Sequence, residues 1–451
     1  MTRITIIGGG ASGTLLTANL VRCAGEQLLE INLIERNEQF GGVAYGMARE
    51  FHLLNVPAAK MGAFPDDVEH FYKWLQANNY NYAAGDFVSR AIYCKYLKQI
   101  LKETIENKPS HIAINIFRDE AIDVSTVNAQ VNVELKSGEK ILTDKVVLAF
   151  GNFLPPHVRT ANQTYTTSPK YFQNPWSEEI PRKINPSDDV LTIGTGLTAI
   201  DVVSSLCQNN HRGKIFMLST HGLLPAVHAP AQTYPSFQTE IDAQTKILPI
   251  LKTVRQHVAA AEKQNNNWRA VIDSMRAFTP ATWFRLSIEE KRRFMRHLQR
   301  RWDVSRHRMP PESAKLLQNL QTANQLQILR GRIKNIEIDQ TGKFEITFGQ
   351  DKKLLVDWTI NCTGSQCNYN KISTPLVKNL VQKGEIKPDA LSLGLEAIPD
   401  GNLIDGQNQA SNKLYTFGTT LRGILWETTA MPEIRAQARA LALKLLEKPK
   451  I

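Results

Sequence analysis

The stretch from Ile4 to Glu35 limits the fold more than any other part of the chain. Ile4-Thr5-Ile6-Ile7 reads as a buried strand, Gly8-Gly9-Gly10-Ala11-Ser12-Gly13 as a glycine turn opening a helix, and Ile31 to Ile34 as a strand ending at Glu35. Strand, glycine turn, helix and acid-tipped strand together make the βαβ unit that binds a dinucleotide. Gly8 permits the tight turn, Gly10 lets a diphosphate approach the backbone, and Gly13 lets the helix lie near the strand. The helix N-terminus offers free N–H groups and partial positive charge to the diphosphate, and Glu35 accepts from ribose hydroxyls.

The same order of elements recurs further on. Val190 to Ile193 leads into Gly194-Thr195-Gly196-Leu197-Thr198-Ala199, a helix through Asp201 to Cys207, and the strand Ile215 to Ser219. Ala199 stands at the third glycine position, which the pattern tolerates. Each unit is followed by strand-rich sequence that ends at a glycine: Ile112–Ile116, Val131–Leu135 and Val146–Phe150 before Gly151, then Ile336–Ile338, Phe344–Phe348 and Asp357–Thr363 before Gly364. The expected class is α/β, with two Rossmann-like dinucleotide-binding domains and β-meanders, the second carrying a helical insertion at about 230–325. The domains are expected at 1–157 and 158–365, with 366–451 returning to the first.

A chain of 451 residues is too long for one ordinary core. No apolar run approaches a membrane span, and the fingerprint begins too early to leave room for a signal peptide. Five scattered cysteines fit a reducing, cytoplasmic setting, and no CxxC, metal-ligand spacing or nucleophile elbow occurs. The formal charge of +11 gathers between Lys291 and Arg308. That patch suits an anionic partner, cofactor phosphates included, as well as nucleic acid, which is the weaker reading. Phe294, Leu298 and Trp302 share one helical face, so the neighbouring bases decorate the other side.

Other stretches are less specific. Phe40 to Tyr45 and His52 to Met61 suit either a wall against a flat ring or a buried connecting loop. Pro65-Asp66-Asp67 predicts a helix start, with Phe71, Trp74 and Leu75 as its packing face. Leu414 to Gly418 predicts a strand and glycine turn, and a helix begins near Pro432.

The motifs GGGASG at Gly8, GVAYG at Gly42, HLLNVPAAKM at His52, GTGLTAID at Gly194, RWDVSRHRMPPE at Arg301 and GILWETTAMPEIR at Gly423 resemble a bacterial family of FAD/NAD(P)-binding proteins. More distantly, the chain looks like two-dinucleotide-domain flavoproteins, which include flavin monooxygenases and pyridine-nucleotide reductases. The resemblance implies FAD at Gly8, Gly10, Ser12, Gly13, Glu35 and Arg36, with Asn55 and Met61 near the flavin. It places Gly418 and Thr419 on the same cofactor, and Gly151 and Trp426 among the cofactor-binding residues. It implies NADPH or NADH at Gly194, Gly196, Leu197, Thr198, Ser219 and Gly364. The distant group has Asp where Thr419 stands. His221 stands as far from Gly194 as Glu35 from Gly8, where an acid favours NAD, and the arginines expected beside it for a 2′-phosphate are absent. The function implied is an FAD-dependent, NAD(P)H-using, monooxygenase-like oxidoreductase acting on a small molecule. A flavin-binding sensor with a degenerate nicotinamide site is the alternative. His52, His157 and Glu427 are candidate acid/base or positioning groups, and Cys362 and Cys367 read as packing residues.

Overall fold

The computed structural model describes residues 1–37, 40–127 and 130–447. Residues 448–451 of the expected C-terminal return lie outside them. The strands are β1 (Thr2–Ile7), β2 (Leu29–Ile34), β3 (Ile112–Phe117), β4 (Ala121–Val127), β5 (Gln130–Leu135), β6 (Lys140–Thr143), β7 (Lys145–Leu148), β8 (Tyr171–Phe172), β9 (Val190–Ile193), β10 (Ile215–Ser219), β11 (Leu326–Arg330), β12 (Ile333–Ile338), β13 (Phe344–Phe348), β14 (Lys352–Val356), β15 (Trp358–Asn361), β16 (Asn402–Ile404) and β17 (Ala410–Thr416).

Two sheets carry the architecture. One runs β16-β17-β7-β1-β2-β3, parallel except for β16, and the other runs β11-β10-β9-β15-β8, parallel throughout. The central strands are apolar and buried on both faces, as a helix-covered parallel sheet requires. Two antiparallel meanders, β4-β5-β6 and β12-β13-β14, attach one to each sheet. The chain is therefore α/β with a duplicated core.

The C-terminal segment completes the first sheet. β17 pairs in parallel with β7, and helix Met431–Leu446 packs against helix Ala11–Cys23. Between β10 and β11 the insertion forms a helical layer with its own core, including Ile250, Phe278, Trp283 and Phe294, to which the C-terminal segment adds Trp426.

Two local expectations are corrected. Helix His70–Ala77 starts after the Pro65-Asp66-Asp67 stretch, because Asp67 N–H donates to Phe64 O (3.2 Å) and Gly62 N–H to Val68 O (3.1 Å), closing a turn there. Phe294, Leu298 and Trp302 do not share one helix: Ile288–His297 and Gln299–Arg306 are separate helices, with Leu298 at φ −120° between them. All three side chains still meet the insertion core.

Candidate functional site

The duplication is closest at the two glycine turns. Gly8 N–H donates to Ile34 O (2.9 Å) and Gly194 N–H to Leu218 O (2.7 Å). Both turn glycines have positive φ, +114° and +122°. An added Cβ would stand 2.3 Å from Ala149 O in the first turn and 2.4 Å from Cys362 O in the second. Each turn is pinned against the strand next to it, so the following helix starts at a fixed place.

In the first unit Gly10 is the N-cap of helix Ala11–Cys23, and no side chain caps it. The free N–H groups of its first turn face a cavity of about 190 Å³, whose walls include Gly8, Gly10, Ser12, Glu35, Arg36, Gly151 and Thr419. Gly13 lies behind the wall, where a Cβ would stand 1.9 Å from Gly8 O, so its role is helix approach. Glu35 is held in place: Oε2 accepts from Gly9 N–H (2.8 Å) and Oε1 from Asn37 N–H (2.9 Å). Thr419 donates to Gly151 O (3.0 Å), tying the C-terminal segment to the loop that follows β7. Gly418 lies just outside the wall, its N–H donating to Gln437 Oε1 (2.7 Å).

Gly41 to Tyr45 also lines this cavity. Residues 52–61 take the other course. Asn55 O accepts from His228 Nε2 (3.0 Å), and Met61 is buried with its carbonyl accepting from Tyr93 OH (3.0 Å). Neither residue is on the cavity wall.

The second cavity is larger, about 670 Å³, and carries Gly194, Gly196, Leu197, Thr198, Ser219, Gly364, Trp426 and Glu427. Gly196 caps helix Leu197–Gln208, again without a side-chain cap. Arginines missing from the strand-end motif arrive from elsewhere: Arg159, Arg300, Arg332 and Arg422 all reach this cavity, against Asp303 and Glu427. Arg332 stands where β11 ends beside β10, and the adjacent Gly331 N–H donates to Ser219 O (3.0 Å). The first cavity differs in charge, with Glu35, Asp119 and Glu120 around Arg36, which pairs with Glu120 (3.2 Å).

The two cavities meet at Thr429, which lines both. Just before it, Trp426 adopts φ 63°, ψ −63°, and Glu427 N–H donates to Leu425 O (2.8 Å), a strained γ-turn. The turn sends the Trp426 ring into the insertion core and the Glu427 side chain toward Trp302 and Arg306. Glu427 accepts from Trp302 Nε1 (2.9 Å) and pairs with Arg306 (3.4 Å), which also pairs with Glu433 (3.6 Å). Burial pushes His307 down to about 4 and raises Asp303 above the usual carboxylate range.

His52 and His157 stand apart from this junction. His52 is buried, with Nε2 2.8 Å from Ser205 Oγ and Nδ1 accepting from Arg49 N–H (3.1 Å). His157 is exposed, 3.1 Å from Tyr171 OH. Cys362 is buried and its thiol is pushed well up by burial; all five cysteines are free. Of the basic stretch, Arg306 and Arg308 turn inward, Arg308 pairing with Asp273. Among the described residues no helix is long and apolar enough to cross a membrane, and no acid, His or Cys cluster is placed to hold a metal.

Fold and paired cavities define an α/β protein with two Rossmann-like units, each opening a glycine turn onto a cavity. Residues 5–153 match the family model described as FAD-NAD(P)-binding. No curated protein matches the chain. Among solved structures, ornithine N-hydroxylase from Kutzneria sp. 744 shares 12% identity at TM-score 0.65, with 98% of each chain covered. L-lysine 6-monooxygenase from Pseudomonas syringae shares 15% at TM-score 0.63, with 99% of each covered. The cadaverine monooxygenase of desferrioxamine biosynthesis from Erwinia amylovora shares 15% at TM-score 0.61, over 98% of this chain and 94% of that one. At these identities the likeness is one of fold, and it extends over the whole chain.

Proposed function

We propose that the chain is an FAD-dependent oxidoreductase that takes electrons from NADPH and uses oxygen to hydroxylate a small molecule. Residues 1–157 and 366–451 hold FAD in this reading, and 158–365 receive the nicotinamide dinucleotide. The observation that carries it is the pair of glycine cradles whose cavities share Thr429, so that two dinucleotides bound in them bring their reactive rings toward one place.

Both cradles fit such ligands. Each has an uncapped helix N-terminus for a diphosphate and a turn glycine that admits no side chain. The helix start at Ala11 to Gly13 binds the FAD diphosphate, Glu35 accepts from the adenosine ribose, and Thr419 supplies a hydroxyl where the related proteins have an acid. The start at Leu197 binds the second diphosphate. Arg332, which follows β11 beside the end of β10 where the ribose 2′ position falls, favours a 2′-phosphate and therefore NADPH. Trp426 and Glu427 close the junction, and the ring of Trp426 keeps water from its insertion side. When both cofactors are bound they supply hydride transfer and oxygen activation.

Insertion of oxygen is supported over disulfide reduction by the buried, unpaired Cys362 and by the monooxygenase neighbours of the same fold. The test is anaerobic mixing of the FAD-loaded protein with NADPH or NADH. Rapid bleaching of the flavin band by NADPH, followed in air by NADPH consumption with peroxide release when no substrate is present, is expected. A flavin that neither nucleotide reduces points instead to a sensor, and a protein that gains no flavin band with added FAD removes the reading altogether.

A further inference from the structure

We infer that the helical insertion contains a separate binding site for a medium-chain aliphatic carboxylate. A third cavity, of about 190 Å³, lies among helices Ile247–Lys263, Thr279–Arg285, Ile288–His297 and Gln299–Arg306. Its lining is mostly apolar and includes Ile250, Leu251 and Val254 with the rings of Trp283, Trp302 and Trp426. The cavity is left beside the packed insertion core, and an apolar chain in it gains dispersion contacts that the empty space forgoes.

The polar side chains of the lining are Arg255, Thr279, Thr282, Arg301 and Ser305. Thr282 Oγ1 is buried without a hydrogen-bond partner among the described residues. Arg255 and Arg301 also line the cavity, are exposed, and have no ion pair among the described residues. Two unpaired guanidinium groups select an anion, and a carboxylate matches their planar fork. The cavity and the second dinucleotide site share Trp426, so the ligand sits one ring away from the junction.

The inference stands apart from the flavin reading and is tested by direct binding. Calorimetry on the purified full chain with FAD, at neutral pH, compares octanoate, octanol and octylamine. Octanoate is expected to bind tightest and octylamine weakest. Arg255→Gln with Arg301→Gln, both on exposed positions, weakens octanoate about tenfold, to the level of octanol, and leaves octanol unchanged. Leu251→Trp fills the cavity and removes binding of all three. Absence of octanoate binding, octylamine binding at least as tight, or a double variant that holds octanoate like the parent overturns the proposal. A dimer that Leu251→Trp dissociates overturns it too, by showing a second copy as the occupant.

Discussion

Gly10 faces the first cavity across Gly42, whose Cα lies 3.4 Å from where a Cβ at Gly10 would stand. Gly10→Glu places a carboxylate among N–H groups meant for a diphosphate and fills the space between two backbone segments. The expected outcome is a folded protein, by circular dichroism, that no longer retains FAD on gel filtration. Arg332 tests the second cavity in the same way. A charge-assisted contact to a phosphate is worth about 1.5–3 kcal/mol, so Arg332→Ala raises the KM for NADPH by about ten- to a hundredfold and leaves NADH little changed. Equal loss with both nucleotides would place Arg332 away from the 2′ position.

The C-terminal return and the insertion are joined by one buried ionic group. Arg306 lies between Glu427 and Glu433, Arg276 also pairs with Glu433, and Trp302 donates to Glu427. Both oxygens of Glu427 are thus occupied within the protein, which favours a bracing role over proton transfer. Glu427→Ala leaves two guanidinium groups for one carboxylate and is expected to cost about 2–4 kcal/mol in urea unfolding. Glu427→Gln keeps the acceptor for Trp302 and costs less. Flavin reduction at saturating NADPH stays within a few-fold in Glu427→Gln if the residue only braces the junction. At this scale the sequence was readable wherever burial is two-sided. The buried, mostly apolar runs of β1, β2, β9 and β10 announce central parallel strands. β4 and β14 escaped notice because they are edge strands of small meanders, half exposed and rich in polar residues. The break at Leu298 left no mark, since every residue around it suits a helix and the bend is imposed by packing. The first cradle was legible because its groups are contiguous in the chain. The basic stretch around Asp303 and His307 was legible as an anion site but not its place, and Arg332 was not legible, because only folding brings β11, the insertion and the second glycine turn to one cavity.

Three histidines, His52 buried and His228 and His307 partly buried, stand where the large pieces of the molecule touch. His52 reaches from the first unit to Ser205 on helix Leu197–Gln208, beside the Arg90–Asp201 pair at 2.7 Å. His228, just after β10, reaches back to Asn55 O, and His307 ends the helix that carries Arg306. Burial holds each down at about 4; Arg90 adds to this for His52, Arg308 for His228 and Arg306 for His307. All three therefore stay neutral in the folded chain at a pH where the unfolded chain is already protonated. The unfolded state then binds more protons, so stability is full above about 6.5 and falls as pH drops toward 4. Each histidine contributes on the order of 1–3 kcal/mol to that loss. His52→Gln with His228→Gln keeps polar groups at both joints and removes two of the three titrations. Urea midpoints measured from pH 7 to pH 4 are expected to fall steeply in the parent and less steeply in the double variant. Parallel curves would mean that these joints do not set the acid limit of the fold, and that carboxylates elsewhere do.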